Sequence, residues 1–203
     1  MEKLLLFDFD GVVVDSLNVY EGTVRQCLEK IGQPLVSRAD FLELYDDNFY
    51  ESLVKRGVNL SAFMEASVAI LARVNYDEIK PFYNLIPVLA KLQTKNILAV
   101  ISSSDSQDIR LITEHLHLSG YFEDVLGSDA HLSKKEKIIH VLGKYGTPRG
   151  RTYYIGDTTG DIKEAKTAGI KTVGVTWGWH TREKLAAANP DYLMDTPEEL
   201  LDL

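Results

Sequence analysis

Cysteine is the first scarcity: Cys27 stands alone in 203 residues. A lone cysteine excludes an intrachain disulfide and any zinc site built on repeated cysteine spacing, and it suits a reducing compartment. Nothing beside it in sequence would lower its pKa, so Cys27 reads as a core residue of a helix rather than a nucleophile. Basic residues are also outnumbered, with 22 Lys and Arg against 30 Asp and Glu and a net charge of −8. That balance argues against a nucleic-acid scaffold, while leaving room for a small basic pocket. The opening apolar run is cut by aspartates too early to span a membrane and lacks a signal-peptide cleavage pattern, so a cytoplasmic protein with no membrane partner is expected. There is no internal repeat and no low-complexity tract. What is present, 45% hydrophobic and 26% charged residues, is ordinary globular composition for one or two domains.

Apolar runs ending in polar residues recur along the chain. "LLLFDFDGVVVDS" (4–16), "NILAVIS" (96–102), "RTYYIGD" (151–157) and "KTVGVTW" (171–177) read as strands buried on both faces, with "EDVLGS" (123–128) and "DYLMD" (191–195) as weaker ones. Helical periods lie between them. Ile109, Ile112 and Leu116 mark one helix, with Gly120 beyond its end, and Ile138, Ile139 and Leu142 mark a second. "DIKEAKTAGI" marks a third, with Gly169 as the residue after its C-cap. Strands alternating with helices predict an α/β fold with a Rossmann-like, doubly wound parallel sheet. Ligands of such sheets bind beyond the strand carboxyl ends, where Asp8, Asp10, Ser102 to Ser104 and Asp157 would all lie.

Residues 15–80 break the rhythm. "LNVYEGTVRQCLEKIG" closed by Gly32, "FLELYDDNFYESLVKRG", and "SAFMEASVAILARV" with Ser61 as a candidate N-cap all read as helical. The expected organisation is a core domain of residues 1–14 and 81–203 with a small all-helical insertion, 15–80, after the first strand. Asp15–Ser16 and Lys80–Pro81 are its candidate hinges.

Two aspartates at a buried strand end could simply begin a turn at Gly11. Three further pieces bear on this. Ser102 can offer a hydroxyl backed by main-chain N–H groups, although serines there often cap the next helix. "SKKEKI" puts lysines at a helix start, where the dipole disfavours cations unless one reaches an acidic cluster; Lys135 and Lys137 read better as a solvated face. In "GDTTGD", Asp157 is another carboxylate at a strand end and Asp161 a good helix N-cap. Carboxylates crowded within about 4–6 Å take up protons unless a cation sits among them. Hard oxygen donors with room for water suit magnesium. An ionised aspartate can then attack phosphorus, and a second carboxylate two residues on can serve as acid and base.

Taken together, these pieces resemble the haloacid dehalogenase superfamily in its phosphatase branch. "DFDGVVVDS" is similar to that family's first motif, Ser102 after "LAVI" to the second, Lys134 in "SKKEKI" to the third and "GDTTGD" to the fourth, in order over nearly the whole chain. The tail from Val173 resembles the phosphoglycolate phosphatase-like members. The resemblance implies Asp8 as nucleophile and Asp10 as acid and base. It implies Mg2+ held by the Asp8 carboxylate, the Asp10 carbonyl and Asp157, with Asp161 supporting from the second layer. Ser102, Ser103, Lys134 and the N–H groups after Asp8 would hold the phosphate, and 15–80 would be a mobile cap selecting a small phosphorylated metabolite. Three departures stand out. The third motif lacks its prolines, so Lys134 is preferred to Lys135 by its spacing to Ile138; Asn84 replaces a usual glycine; position 12 is Val. Asp10 argues against dehalogenation, since the true dehalogenases lack that acid.

The expected activity is Mg2+-dependent phosphomonoester hydrolysis. The alternatives are a phosphomutase of the β-phosphoglucomutase type and a non-catalytic binder of a phosphorylated metabolite. Lys55 and Arg56 read as a solvated face, and Tyr45, Tyr50, Trp177 and Trp179 as packing. His131, His140 and His180 read as surface or helix-end histidines.

Overall fold

The computed structural model describes residues 2–203. The chain runs through β1 (Leu4–Phe7), β2 (Val14–Asp15), α1 (Leu17–Lys30), α2 (Arg38–Glu43), α3 (Phe49–Lys55), α4 (Leu60–Leu71) and β3 (Lys80–Pro81). It continues through α5 (Ile86–Leu92), β4 (Ile97–Ile101), α6 (Ser106–His115), β5 (Asp124–Leu126) and α7 (Lys134–Tyr145). The last elements are β6 (Thr152–Gly156), α8 (Thr159–Thr167), β7 (Lys171–Val175), α9 (Arg182–Ala187) and β8 (Tyr192–Met194).

Six strands form one parallel sheet in the order β5-β4-β1-β6-β7-β8. β1 pairs on one side with β4 (Phe7 opposite Val100) and on the other with β6 (Phe7 opposite Ile155). Alternate residues of β1 feed two apolar layers, as a strand's two-residue period requires. Leu5 and Phe7 join Val88 and Leu89 of α5 and Ile109 and Ile112 of α6. Leu4 and Leu6 join Ile138 and Val141 of α7 and Ala165 of α8. The sheet is thus covered on both faces, which is why its strands read as continuous apolar runs. From β1 the order runs out one way to β4 and β5 and the other way to β6, β7 and β8. The switch point, where a crevice opens at the carboxyl ends, lies at β1.

Helices α1 to α4 gather their own apolar cluster, in which Val24, Cys27, Leu28, Phe41, Leu53 and Phe63 meet Trp179 from the loop after β7. Cys27 is buried, as its reading as a core residue expects. The two segments expected as hinges meet in a short antiparallel ribbon, β2 with β3, pairing Val14 with Pro81 and Asp15 with Lys80. Three helix ends also differ. Asn59, not Ser61, caps α4, its side chain accepting from the Ala62 N–H. Thr158 caps α8, and Asp161 is the third helical residue of that capping box. The chain leaves α6 through His117 in the left-handed region, φ 57°, well before Gly120. Among the described residues no helix is long and apolar enough to cross a membrane.

Candidate active site

The strand ends carry the charged residues to one edge. Asp8 follows β1, Ser102 follows β4 and Asp157 follows β6, while Lys134 and Asp161 stand in the first turns of α7 and α8. All are buried: Asp157 is 0% exposed, Asp161 and Ser102 1%, Asp8 6%, and Asp10 and Lys134 8%. The Asp8 main chain is fixed by its N–H donating to the Ile155 carbonyl at 2.8 Å. The turn that follows requires Gly11. Its φ is +79°, and a Cβ there would lie 2.1 Å from Asp157 Oδ2 and 2.7 Å from the Trp179 ring.

Asp8, Asp157 and Asp161 each offer an oxygen within 4.8 Å of the others. Lys134 Nζ stands 3.2 Å from Asp8 Oδ2 and also pairs with Asp161 Oδ1. The second Asp161 oxygen accepts from the Thr158 N–H at 3.1 Å and its hydroxyl at 2.7 Å. Asp157 Oδ2 accepts from the Trp179 N–H at 2.7 Å. Asp8 Oδ1 and Asp157 Oδ1 are left buried with no hydrogen-bond partner.

Burial pushes the Asp8 carboxyl up to about 8 against the pull of Lys134, with the negative charges of Asp161 and Asp10 adding to the rise. Burial, then Asp161 and Asp8, raise Asp157 well above the carboxylate range. Burial works against the charge on Lys134, yet Asp161 and Asp8 hold it above the ordinary lysine range. Three carboxylates share one ammonium, and two buried oxygens lack partners. A divalent cation with oxygen preference, such as magnesium, fits this donor set.

Asp10 sits apart from the triad. Its Oδ1 accepts from the Ser16 hydroxyl at 2.7 Å and its Oδ2 from the Ser104 hydroxyl at 2.6 Å, while Ser104 Oγ lies 2.9 Å from the Tyr20 hydroxyl. Burial raises its carboxyl and these hydroxyls oppose the rise. Ser102 Oγ accepts from the Ser104 N–H at 3.0 Å. Lys137 is a correction: it is 2% exposed, not on a solvated face, and its Nζ donates to the Ser102 carbonyl at 2.7 Å. Burial, then the charge on Lys134, lowers it to about 8. Lys135 is exposed, as expected.

A cavity of about 270 Å³ opens over Asp8, Asp10, Ser102, Ser103 and Lys134. The helical segment supplies its other wall, including Tyr45 and Tyr50, so these two face the cavity as well as pack; Trp179 does the same. Trp177 donates instead to the Val12 carbonyl at 3.2 Å. Lys55 and Arg56 pair with Asp47 and Glu43 outside the cavity. His180 is a second correction, because it is buried rather than at the surface. Its Nδ1 accepts from the Thr159 N–H at 3.1 Å and its Nε2 lies 3.0 Å from the Leu42 carbonyl, tying α8 to the helical segment.

The family model described as haloacid dehalogenase-like hydrolase matches residues 5–175. Among curated relatives, phosphoglycolate phosphatase of Synechococcus elongatus is 28% identical over 98% of this chain and 95% of its own length. That of Vibrio parahaemolyticus is 28% identical over 99% and 95%. Among solved structures, a haloacid dehalogenase-like family hydrolase from Streptococcus pneumoniae superposes with a TM-score of 0.83 at 23% identity, covering 99% of this chain and 97% of that one.

Proposed function

This chain belongs to the haloacid dehalogenase-like hydrolases, and from that premise we propose that it is a phosphatase cleaving a small-molecule phosphate monoester through a phosphorylated Asp8. One observation carries the reading. Asp8 belongs to the metal-fitting cluster beside Lys134 and keeps one buried oxygen without a partner, while Asp10, two residues on, is held separately by two hydroxyls at the same cavity. The names of the curated relatives agree with a phosphatase.

In the first step an Asp8 oxygen attacks phosphorus, the ester P–O bond breaks, and the departing alkoxide takes the Asp10 proton. Burial raises Asp10 towards the protonated form this step needs. In the second step the Asp10 carboxylate takes a proton from water, whose oxygen attacks the phosphoryl group. The P–O bond to Asp8 breaks, freeing inorganic phosphate and restoring both aspartates. Lys134 neutralises the phosphoryl oxygens, with Ser102, Ser103 and N–H groups after Asp8 as hydrogen-bonding partners. Asp8, Asp157 and Asp161 would surround the magnesium, which supplies further charge neutralisation when bound. Residues 15–80 act as the cap that walls the cavity against residues 1–14 and 81–203. A phosphomutase would need a second cationic cradle, and Lys134 is the sole lysine or arginine lining this cavity among the described residues.

The test is phosphate release from a panel of monoesters, with magnesium and with chelator. The native protein is expected to release phosphate only with metal, and Asp8→Asn to release none while keeping the native circular dichroism. Turnover retained by Asp8→Asn removes the covalent route.

A further inference from the structure

The cavity has two chemically opposite walls. The sheet edge contributes Asp8, Asp10, the serines after β4 and Lys134; the facing wall carries Val24, Phe49, Phe63, Met64 and Leu71. Two hydroxyls on the facing wall are committed elsewhere, and the groups that remain there, the Tyr45 and Tyr50 hydroxyls and the unpartnered Trp179 indole N–H, are neutral. Thr23 donates to the Val19 carbonyl at 2.8 Å, and Ser67 to the Met64 carbonyl at 2.7 Å. The other charged residues at the cavity, Asp105 and Asp108, are acids. Lys134 is already engaged by Asp8 and Asp161 and stands where the phosphoryl group must go.

An ester carrying a second negative charge would therefore bury it against aromatic and aliphatic groups, near two aspartates and away from any free cation. Burying an unpaired carboxylate is among the costliest events in a protein interior. Size is consistent with a small alcohol. A volume of about 270 Å³ corresponds to about nine waters at roughly 30 Å³ each, enough for a phosphoryl group with a short chain or one ring.

We propose that the site selects phosphate monoesters of uncharged alcohols of up to about one ring, and discriminates against carboxylated esters such as phosphoglycolate. This rests on the phosphatase reading above, and it separates the chain from the named activity of its curated relatives. Phe49, Phe63 and Met64 are the residues that set the preference, by contact with the alcohol rather than the phosphate.

The experiment compares kcat/KM for benzyl phosphate, n-butyl phosphate and phosphoglycolate with saturating magnesium, all alkoxide leaving groups. Benzyl and butyl esters are expected to exceed phosphoglycolate by at least about 100-fold, about 2.7 kcal/mol. Met64 is half exposed, so Met64→Arg can place a guanidinium at the cavity and is expected to narrow the gap at least tenfold by raising phosphoglycolate turnover. Binding of benzylphosphonate and phosphonoacetate, measured by calorimetry, reads selection without turnover. Phosphoglycolate turned over as well as the benzyl ester overturns the proposal and leaves the phosphatase standing. Tight benzylphosphonate binding without hydrolysis of any ester upholds the selection and removes the phosphatase. Neither binding nor hydrolysis overturns both.

Discussion

Replacing Asp157 by Asn should leave the metal-free protein at least as stable as the native one while abolishing its stabilisation by magnesium. Asp157 is wholly buried, with Oδ2 satisfied by the Trp179 N–H and Oδ1 unpartnered among Asp8 and Asp161. Asparagine keeps the acceptor for Trp179 and removes an ionisable group that burial and two neighbouring carboxylates oppose. In the native protein, magnesium at a hundred times its Kd adds about 2.7 kcal/mol to folding. For a chain of this size that is a rise of about 5–11 °C in Tm, at about 2–4 °C per kcal/mol.

The pH dependence has a definite sign. Asp8 rises from 3.8 unfolded to about 8 folded, so between those values the folded chain holds more protons than the unfolded chain. Its contribution is complete below about pH 4 and is lost as pH climbs towards 8. Chelated native protein should therefore melt lower at pH 8 than at pH 5. Saturating magnesium should shrink that difference by taking the place of the protons, and the metal-free Asn variant should show a shallower loss. Thermal unfolding followed by circular dichroism, with chelator and with a magnesium titration, measures all of this. An Asn variant that keeps the full magnesium-induced rise refutes Asp157 as a ligand, and a chelated native protein more stable at pH 8 than at pH 5 refutes the account of the buried carboxylates.

Lys134→Met should cut kcat/KM for the best ester at least about 100-fold, the scale of losing one oxyanion donor, whereas Lys135→Met, on the exposed side of α7, should leave it unchanged; equal losses would undo the assignment. Ser104→Ala removes one of two hydroxyls holding Asp10, each hydrogen bond to a charged group being worth about 1.5–3 kcal/mol. The carboxylate limb of the pH–rate profile should move alkaline by about one to two units, and an unmoved limb would detach Ser104 from Asp10. Gly11→Ala should lower Tm through its left-handed backbone, at about 1–2 kcal/mol, and weaken magnesium binding through the clash with Asp157 Oδ2; a variant binding the metal normally would show that the turn can move aside.

The α/β order and the carboxylates at the strand ends were legible because both depend on local pattern: apolar runs of strand length, each stopped by a polar residue. Lys137 was legible too and was misread. Lys134, Lys137, Ile138 and Val141 are the buried residues of α7, and their spacing of three, four and seven marks one helix face. That period places Lys137 with the core, where burial is tolerated because its ammonium meets the Ser102 carbonyl. Ser16 and Ser104 carried no such signal. Their meeting on Asp10 joins residues 94 apart in sequence through the path from β1 to β4, and only the folded sheet edge creates it. His180 lies in a loop, outside any period, so its burial follows from the docking of the helical segment. The ribbon of β2 with β3 was hidden for a related reason, since two two-residue strands leave no alternation to read.

The same first turn of α8 serves both halves of the site. Thr158 fixes Asp161, while one residue later Thr159 donates to the Asp46 carbonyl at 3.1 Å and the Gly160 N–H to the Tyr45 carbonyl at 3.0 Å. A Cβ on Gly160 would meet the Asp47 carbonyl oxygen at 2.4 Å, so close seating of the 45–47 segment requires glycine there. The cavity wall carrying Tyr45 is thus registered on the very turn that positions Asp161 against Lys134. Beyond this contact the walls diverge in origin, the charged one from strand ends and the apolar one from α1, α3 and α4. Substitutions on the apolar wall can therefore change which alcohol is accommodated while the Asp8, Lys134 and Asp161 geometry stays in place, and that separation is what makes a comparison of esters a clean reading of the wall alone.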